Sequence, residues 1–299
     1  MKYRATKGDI VFYIFNSIIM LSVVLVTLYP FINTLAVSFN NGQDSIRGGI
    51  TIFPRVFTWQ NYISIFSTGT LFTAFLVSVA RTVLSTGLNI VLTVMLAYTL
   101  SRREFVLRKF ITVVMVLTMY FNAGLIPNFL LLKSLGMYDS FAVYIVPTLI
   151  SAFNVIVVRT YIESLPESII ESCRIDGAGD FTICYRIIFP LVIPAIAVVG
   201  LFVAVFSWNA WFDTLLYCSN DQNLSTLQFE LQKILSATFS LQGQTVANNL
   251  GNAYSNATTT TPISIQAATT IVAMVPILCV YPLVQRYFVG GLVIGGVKE

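Results

Sequence analysis

The chain has 299 residues, of which 56% are hydrophobic and 10% are charged, and its mean hydropathy is +0.81. This composition is that of an integral membrane protein and excludes a soluble globular domain. The net charge is only +4 and histidine is absent, so neither nucleic-acid binding nor histidine-based catalysis is indicated. The four cysteines are scattered, and their spacing does not indicate a metal site.

Two apolar spans are predicted in the first third of the sequence. Residues 1–10 are polar and basic and predict a short N-terminus outside the bilayer. The apolar run over about 11–39 lacks a small-residue cleavage site, so it is interpreted as an uncleaved first span. Residues 40–69 combine turn signals with aromatic residues typical of a membrane interface. The second span is predicted over about 70–101.

Arg81 lies inside the second predicted span. It is about 21 residues from Arg102 at the other end, roughly 30 Å along a helix. We therefore expect it near the outer interface, where it snorkels or forms a structural ion pair. A position lining a polar pathway across the membrane is the alternative.

Four more spans are predicted in the rest of the sequence, over about 110–132, 140–161, 189–216 and 263–288. A polar segment over 217–262 is long for a connection and therefore functional or disordered. Leucines at helical spacing predict one amphipathic helix within it, near 224–235. A glycine-punctuated tail over 289–299 ends the chain. The sequence thus predicts an all-α membrane protein with a single transmembrane domain of six helices over 11–299.

Basic residues predict the orientation of these spans. Six spans place both termini and the loop over 162–188 on one side, and the segment over 217–262 on the other. Most of the basic residues fall on the side of the termini: Lys2, Arg4, Lys7, Arg102, Arg103, Arg108, Lys109, Arg159, Arg174, Arg186, Arg286 and Lys298. Arg47, Arg55, Lys133 and Lys233 fall opposite. By the positive-inside rule, both termini and the loop over 162–188 are predicted to be cytoplasmic.

The loop over 162–188 carries the strongest local signals. Pro166 suits a first helical turn, and the early acids Glu167 and Glu171 suit the positive end of a helix. Gly177 suits its termination. A second short helix is predicted after Gly179 and runs to Pro190. Two short helices broken by glycine predict a compact elbow.

This elbow resembles the cytoplasmic loop of permease subunits in importers of the ATP-binding-cassette type. That signature reads Glu-Ala-Ala, three residues, Gly, nine residues, Ile, one residue, Leu-Pro. Here it is met by Glu171-Ser172-Cys173, Gly177, Ile187 and Phe189-Pro190. The replacements keep small or apolar character at each position.

Further stretches resemble carbohydrate importers of the maltose type, notably a polysaccharide-type subfamily. They are Ile175-Asp-Gly-Ala-Gly179 in the elbow, and Val280-Tyr-Pro282, Gln285 to Phe288 and Gly290 to Gly295 near the end. With the elbow, the resemblance covers nearly the whole chain. It implies the type I importer permease fold with a cytoplasmic coupling helix.

The resemblance also implies how the elbow acts and with what. Its small residues and an exposed acid would seat it against an ATPase, through Glu171, Ser172, Cys173, Asp176, Gly177, Ala178 and Gly179. The implied partners are two ATP-binding-cassette ATPase subunits, a second homologous permease and an extracellular sugar-binding lipoprotein, at a bacterial plasma membrane. The sequence contains no phosphate loop of the form Gly-x4-Gly-Lys-Ser/Thr. ATP and Mg²⁺ are therefore expected on the partner ATPase, with no cofactor on this chain.

Candidate substrate-pathway residues are aromatic, amide and charged side chains in or near the spans: Arg81, Asn122, Asn154, Trp208, Asn209, Trp211 and Asp213. Aromatic faces stack on the C–H faces of sugars, while amides and carboxylates bond sugar hydroxyls. Interfacial anchoring is the alternative for the Trp residues, and interhelical bonding is the alternative for the Asn residues.

The resulting interpretation is a permease subunit, not an enzyme, that moves oligo- or polysaccharide inward by alternating access coupled to partner ATPases. A permease for peptides is an alternative. A secondary transporter would need intramembrane acids for ion coupling, and the predicted spans contain almost none. A membrane-embedded enzyme would need a catalytic dyad, for which the sequence gives no convincing candidate.

Overall fold

The computed structural model describes residues 7–67, 69–236 and 260–294, and only the backbone of 283, 284 and 286–294. The helices are α1 (Lys7–Ser38), α2 (Gly42–Ile46), α3 (Gln60–Ser67), α4 (Thr70–Ser101), α5 (Arg108–Tyr120), α6 (Leu125–Ser134), α7 (Ala152–Glu163), α8 (Glu167–Ile175), α9 (Asp180–Thr182), α10 (Phe189–Leu191), α11 (Ile193–Asn209), α12 (Phe212–Tyr217), α13 (227–236) and α14 (Pro262–Ile294). Within the described ranges the only β pairing is an isolated bridge between Asn40 and Phe57.

Three helices are long and apolar enough to cross a membrane alone, namely α1, α4 and the Pro262–Pro282 part of α14. Two bent helix pairs pass the same test of length and apolarity if each pair is counted as one span. Phe141–Thr148, in two 3-10 turns, meets α7 at 45°. Asp180–Leu191, which includes a π-helical stretch over Ile183–Ile188, meets α11 at 81°. By length and composition the described residues thus supply up to five spans, and the count of six stays a prediction.

The region of the predicted third span is interrupted. Helix α5 ends at Tyr120 and α6 begins at Leu125. Gly124 between them has φ of 89°, and its N–H donates to Oδ1 of Asn122 at 2.9 Å. A left-handed glycine stabilised by a neighbouring Asn side chain is a turn, which stops the helix.

The chain divides into two compact units, Met1–Gly69 with Lys233–Val275, and Thr70–Gln232 with Pro276–Glu299. In the first unit, buried Asn40 organises the segment after α1. Its amide donates to Asp44 and Ser45, at 2.9 and 3.0 Å, and its Oδ1 accepts from the N–H of Val56 at 2.8 Å. Asn61 donates to the carbonyls of Ser38 and Asn40. These bonds satisfy backbone groups where α1 ends.

The second unit is built around α4, which packs against both α7 and α11. The C-terminal half of α4 has an apolar side, where Val94, Ala97 and Leu100 join a core with Val155 and Val158 of α7. Another side carries a polar stripe, Ser78, Arg81, Ser85, Asn89 and Thr93, all buried. This spacing of three or four residues places them on one face of the helix.

Candidate functional site

Helix α8 forms the first half of the predicted elbow, and it begins and ends as the sequence predicts. Pro166 precedes it and Glu167 stands in its first turn. Gly177 has φ of 79°. The N–H of Ala178 donates to the carbonyl of Cys173 at 2.9 Å, and that of Gly177 to the carbonyl of Arg174 at 3.0 Å. This pair of bonds is the Schellman motif, which needs a left-handed residue at the position of Gly177.

One face of α8 packs into the apolar core that α4 and α7 form. Ile170 is 3% exposed and belongs to the same cluster as Ile162 of α7 and Ile183 after α9. Cys173 and Ala178 pack against this cluster. The elbow is therefore continuous with the packing of α4 and α7.

The opposite face of α8 is open. Glu171, Ser172, Asp176, Gly177 and Gly179 are all exposed. A Cβ atom added at Gly177 or Gly179 would meet nothing within 4 Å. Within this chain, nothing described requires Gly179 to be small, because its backbone is extended, with φ of −74° and ψ of 159°.

Two apolar residues on the elbow were not singled out from the sequence. Ile175 is 86% exposed and Phe181 is 73% exposed. Both flank the glycine turn between α8 and α9. Large apolar side chains in the open beside a polar turn are typical of a protein contact surface. The sequence signal that could have identified this contact surface is the presence of two bulky apolar residues in an otherwise polar stretch.

Arg174 forms an ion pair within the chain. Its guanidinium donates to both carboxylate oxygens of Glu104, at 2.6 and 2.9 Å, and lies 3.7 Å from the carboxylate of Asp180. The bond from Arg174 lowers the pKa of Glu104, and the bond to Glu104 raises the pKa of Arg174. The pairing ties α8 to the loop that follows α4.

The polar stripe of α4 bonds backbone groups at the breaks in neighbouring spans. Asn89 donates to the carbonyls of Thr148 and Leu149, at 2.9 and 3.1 Å, where the span preceding α7 is broken. Ser85 donates to the carbonyl of Tyr144 at 3.3 Å. Such carbonyls have no helical partner and are costly in a bilayer unless a side chain bonds them.

Arg81 serves the same purpose at the end of α11. It is completely buried. Its guanidinium donates to the carbonyl of Ala210 at 2.8 Å and to the carboxylate of Asp213, and lies 4.6 Å from the centroid of the Tyr144 ring. Of the two expectations for Arg81 near an interface, the structure has the structural ion pair. The side chain is enclosed by its partners in this structure, and its place on the substrate pathway stays a prediction.

A cavity of about 450 Å³ lies beside the Asn89 end of the stripe. It is lined by Asn89, Ser151 and Asn154, which are polar, and by Phe202 and Phe206, which are exposed on α11. None of the described residues that line it is charged. Of the candidate pathway residues, Asn154 lies here. The Phe pair and Ser151 were missed, although the four-residue spacing of the two rings on one helix face was a usable signal.

The other candidate pathway residues lie elsewhere. Trp208 is 5% exposed and packs edge-on against Phe75. Asn209 donates to the carbonyl of Val205 and accepts from Gln228, and Trp211 packs against Phe212. Asn122 stabilises the turn between α5 and α6. The structure therefore groups Trp208 to Asp213 around the end of α11, with Arg81, and places Asn154 and Asn122 apart from them.

Parts of the predicted outer arm and tail fall outside the described residues, namely 237–259 and 295–299. The predicted amphipathic helix near 224–235 is found as α13, over 227–236. The N–H of Leu227 at its start donates to Ser78 on α4 at 2.8 Å. Among the described residues no group of three or more Cys, Asp or Glu side chains could hold a metal ion.

Comparison with known proteins decides the family. The family model described as binding-protein-dependent transport system inner membrane component matches residues 89–293. The chain belongs to this family. It is thus a transport permease and not an enzyme, and the elbow and the cavity beside α4 are parts of a permease.

Two relatives align with this chain over nearly its whole length. This chain is 36% identical over 279 residues to the polygalacturonan/rhamnogalacturonan transport system permease protein YtcP of Bacillus subtilis, covering 93% of this chain and 95% of that one. It is 34% identical over 293 residues to the protein LplC of Bacillus subtilis, covering 98% and 97%.

A solved structure of a bacterial ABC transporter involved in the import of the acidic polysaccharide alginate contains a chain of the same fold. The TM-score is 0.83 at 26% identity, covering 96% of this permease and all of that chain. About one residue in four is shared, so the fold tolerates extensive substitution.

Proposed function

We propose that this permease carries oligo- or polysaccharide from an extracellular binding protein into the cytoplasm by alternating access, driven by partner ATPases. The relatives named above that transport known solutes carry polysaccharides. The observation that carries the coupling part is the two-sided α8, whose apolar face is packed into the core while its polar face is open.

The elbow transmits force because it is rigid and anchored at several points. Ile170 and Cys173 hold it to the core, Arg174 holds it to Glu104, and the Schellman turn fixes the path from α8 into α9. An ATPase bound to the open face moves α8 as a rigid body, and α4 and α7 move with it because they are packed against it. Glu171, Ser172, Asp176, Gly177 and Gly179 would form the gripped face, with Ile175 and Phe181 as apolar anchors.

The cavity beside Asn89 and Asn154 offers groups suited to a sugar. Phe202 and Phe206 present ring faces for sugar C–H groups, and the amide and hydroxyl groups of Asn154 and Ser151 present hydrogen-bond partners. We assign the substrate contacts of this permease to this cavity. Trp208, Asn209 and Asp213, with Arg81, form the structural support at the end of α11.

The assembly would hold two ATPases, a second homologous permease and a sugar-binding lipoprotein, with ATP and Mg²⁺ on the ATPases. The termini and α8 would face the cytoplasm, and the segment over 217–262 would face the binding protein outside. Helix α1 has none of its most apolar window buried within the chain. Its surface is therefore available to lipid and to the second permease.

Gly179→Leu tests the coupling role directly. A Cβ at Gly179 would meet nothing within 4 Å among the described residues, so the purified variant should insert, fold and melt as the wild type does. If an ATPase approaches Gly179 closely, the bulky side chain should lower uptake and transport-dependent ATP hydrolysis in proteoliposomes about tenfold or more, the cost of an overpacked interface. The matched control is Thr182→Leu, at an exposed position on the neighbouring short helix. Unchanged uptake by Gly179→Leu would contradict a close contact there.

Purification of the tagged permease from its native membrane identifies the assembly. Recovery of an ATPase, a second permease and a lipoprotein is expected, and the lipoprotein can then be screened against acidic and neutral oligosaccharides and against peptides. Peptide binding with no sugar binding would overturn the substrate class while leaving the coupling role intact.

A further inference from the structure

A strongly basic cavity lies where α4 gives way to α5. Its volume is about 750 Å³, and the described residues that line it include Arg103, Arg108, Lys109 and Arg159 but no acidic residue. Because α4 is a candidate membrane span that ends at Ser101, and α5 begins at Arg108, the cavity lies at one end of a candidate span.

The charges around this cavity are not balanced within the described part of the chain. Glu163 accepts from both Arg108 and Arg159, at 2.8 and 3.0 Å, so one carboxylate serves two cations. Glu163 and Glu167 also line a smaller cavity of about 230 Å³ next to it. Arg103 and Lys109 make no ion pair with any described residue. An excess of positive charge therefore surrounds the larger cavity.

The start of α5 adds to the excess. Its N-cap, Leu107, makes no side-chain capping bond, and its first turn contains no acid. Instead Arg108 and Lys109 stand there, at the positive end of the helix dipole, where cations are unfavourable. The N–H of Arg108 donates to the carbonyl of Phe105 at 3.1 Å, so it is the two cations, together with the helix dipole, that would attract an anion here.

The wall of the cavity shows which anion fits. Val106 and Val113 line it beside the cations, and they are 92% and 57% exposed. Phe110, on the first turn of α5, is 67% exposed. A small free anion needs no apolar wall, whereas a phospholipid presents a phosphate and acyl chains together. Basic clusters at the cytoplasmic end of membrane helices select anionic lipids for this reason.

We propose that this cavity binds the head group of an anionic phospholipid, with the phosphate between Arg103 and Lys109 and an acyl chain along Val106 and Val113. The site is independent of the transported solute. It would fix the loop that also holds Glu104, the partner of Arg174 on α8. A bound lipid thereby stabilises the anchor of the elbow.

Lipid retention by the full-length permease, purified with its accompanying subunits, tests the proposal. The protein is delipidated, incubated with equal amounts of phosphatidylglycerol and phosphatidylcholine, and analysed by native mass spectrometry. The wild type should prefer phosphatidylglycerol. Arg103→Gln with Lys109→Gln should reduce that preference about 25-fold, from about fivefold for each cation. Added salt should weaken the preference of the wild type.

Two controls keep the outcome specific. Arg47→Gln with Arg186→Gln removes the same total charge elsewhere and should keep the preference, while Arg103→Lys with Lys109→Arg should restore it. An Arg103→Gln, Lys109→Gln protein that retains phosphatidylglycerol as the wild type does would overturn the proposal. Displacement of the lipid from the wild type by millimolar inorganic phosphate would overturn the choice of lipid and leave a site for free phosphate.

Discussion

The guanidinium of Arg174 and the carboxylate of Glu104 face each other across 70 residues of sequence with two parallel hydrogen bonds, of 2.6 and 2.9 Å. Arg174 belongs to α8, and Glu104 lies in the loop between α4 and α5. A two-point bond between planar groups fixes orientation as well as distance. The other face of α8 is packed into the core. The ion pair and this packing together keep α8 from rotating about its own axis.

The Arg174–Glu104 pair predicts acid sensitivity of the elbow. The bond lowers the pKa of Glu104 below its ordinary value of about 4.3. Its stabilisation is therefore present above that value and is lost as the pH falls through the lower, folded pKa. Hydrogen exchange of the α8 amides, corrected for the intrinsic pH dependence, should accelerate in the wild type as the pH falls below about 4.3. Glu104→Gln should exchange fast throughout.

Glu171→Gln is the matched control for this effect. Glu171 is exposed on the same helix and has no ion-pair partner among the described residues. Its neutralisation should leave the acid-induced step in place. If Glu104→Gln also shows the step at the same pH, another group is responsible and the pair does not hold the elbow.

Gly177 separates a conformational requirement from a contact with a partner. Its φ of 79° is left-handed, and Asp and Asn both enter this region more easily than other side chains. Gly177→Asn and Gly177→Asp should therefore both insert and fold. Only the aspartate adds a charge to the proposed ATPase-facing surface, so uptake should be lost in Gly177→Asp and largely kept in Gly177→Asn. Uptake measured in membranes with equal permease content decides, and full uptake by Gly177→Asp would remove the coupling role.

The elbow could be predicted from the sequence because its signals are local. Pro166, Glu167 and Gly177 determine where α8 begins and ends through bonds that span only a few residues. What no local signal gave was which face of α8 is buried. That depends on Ile162 and Ile183, which approach Ile170 only in the folded unit.

The broken spans were harder to predict for a physical reason. Apolar length predicts a continuous helix over 140–161, yet the chain breaks just after Pro147, whose ring interrupts the helix. Asn89, 60 residues earlier, bonds the carbonyl of Leu149 that the break leaves free. Likewise Arg81 was expected at an interface, but Asp213, 132 residues later, allows it to be buried. Five of the buried polar residues of α4 stand at a helical spacing that is visible in the sequence. They indicate a packed polar face, but the sequence does not show which groups these side chains bond.

Gly200 predicts how closely α4 and α11 approach. A Cβ at this position would lie 2.9 Å from Cδ1 of Ile90 and 3.7 Å from its Cγ1. Gly200→Ala costs about 1 kcal/mol because the terminal methyl of Ile90 must move, but it gains up to about 1 kcal/mol of helix propensity within α11, so its net effect on the stability of the purified permease should be small. Ile90→Val removes that methyl, so the double variant should be more stable than the sum of the single effects predicts. Strict additivity in thermal unfolding would show that α11 does not contact Ile90 at this point.

The ion pair of Arg81 and Asp213 predicts the largest loss of stability. The Arg81 side chain is fully buried and that of Asp213 is 33% exposed. Asp213→Asn leaves a buried guanidinium without its counter-charge, and Arg81→Met also leaves the carbonyl of Ala210 without its donor. Breaking a buried pair from one side costs about 3–5 kcal/mol. We expect both variants to melt well below the wild type in detergent, or to be degraded in the membrane.

The comparison pair is Arg55 with Asp44, whose side chains are 47% and 16% exposed. Arg55→Met should cost about 1 kcal/mol or less, because water screens an exposed pair. Replacing both members of the buried pair, by Arg81→Met with Asp213→Leu, removes both charges and should recover part of the stability. If that double variant were as unstable as the sum of its single changes, the bond from Arg81 to the Ala210 carbonyl, and not the charge pairing, would be what holds α11 to α4.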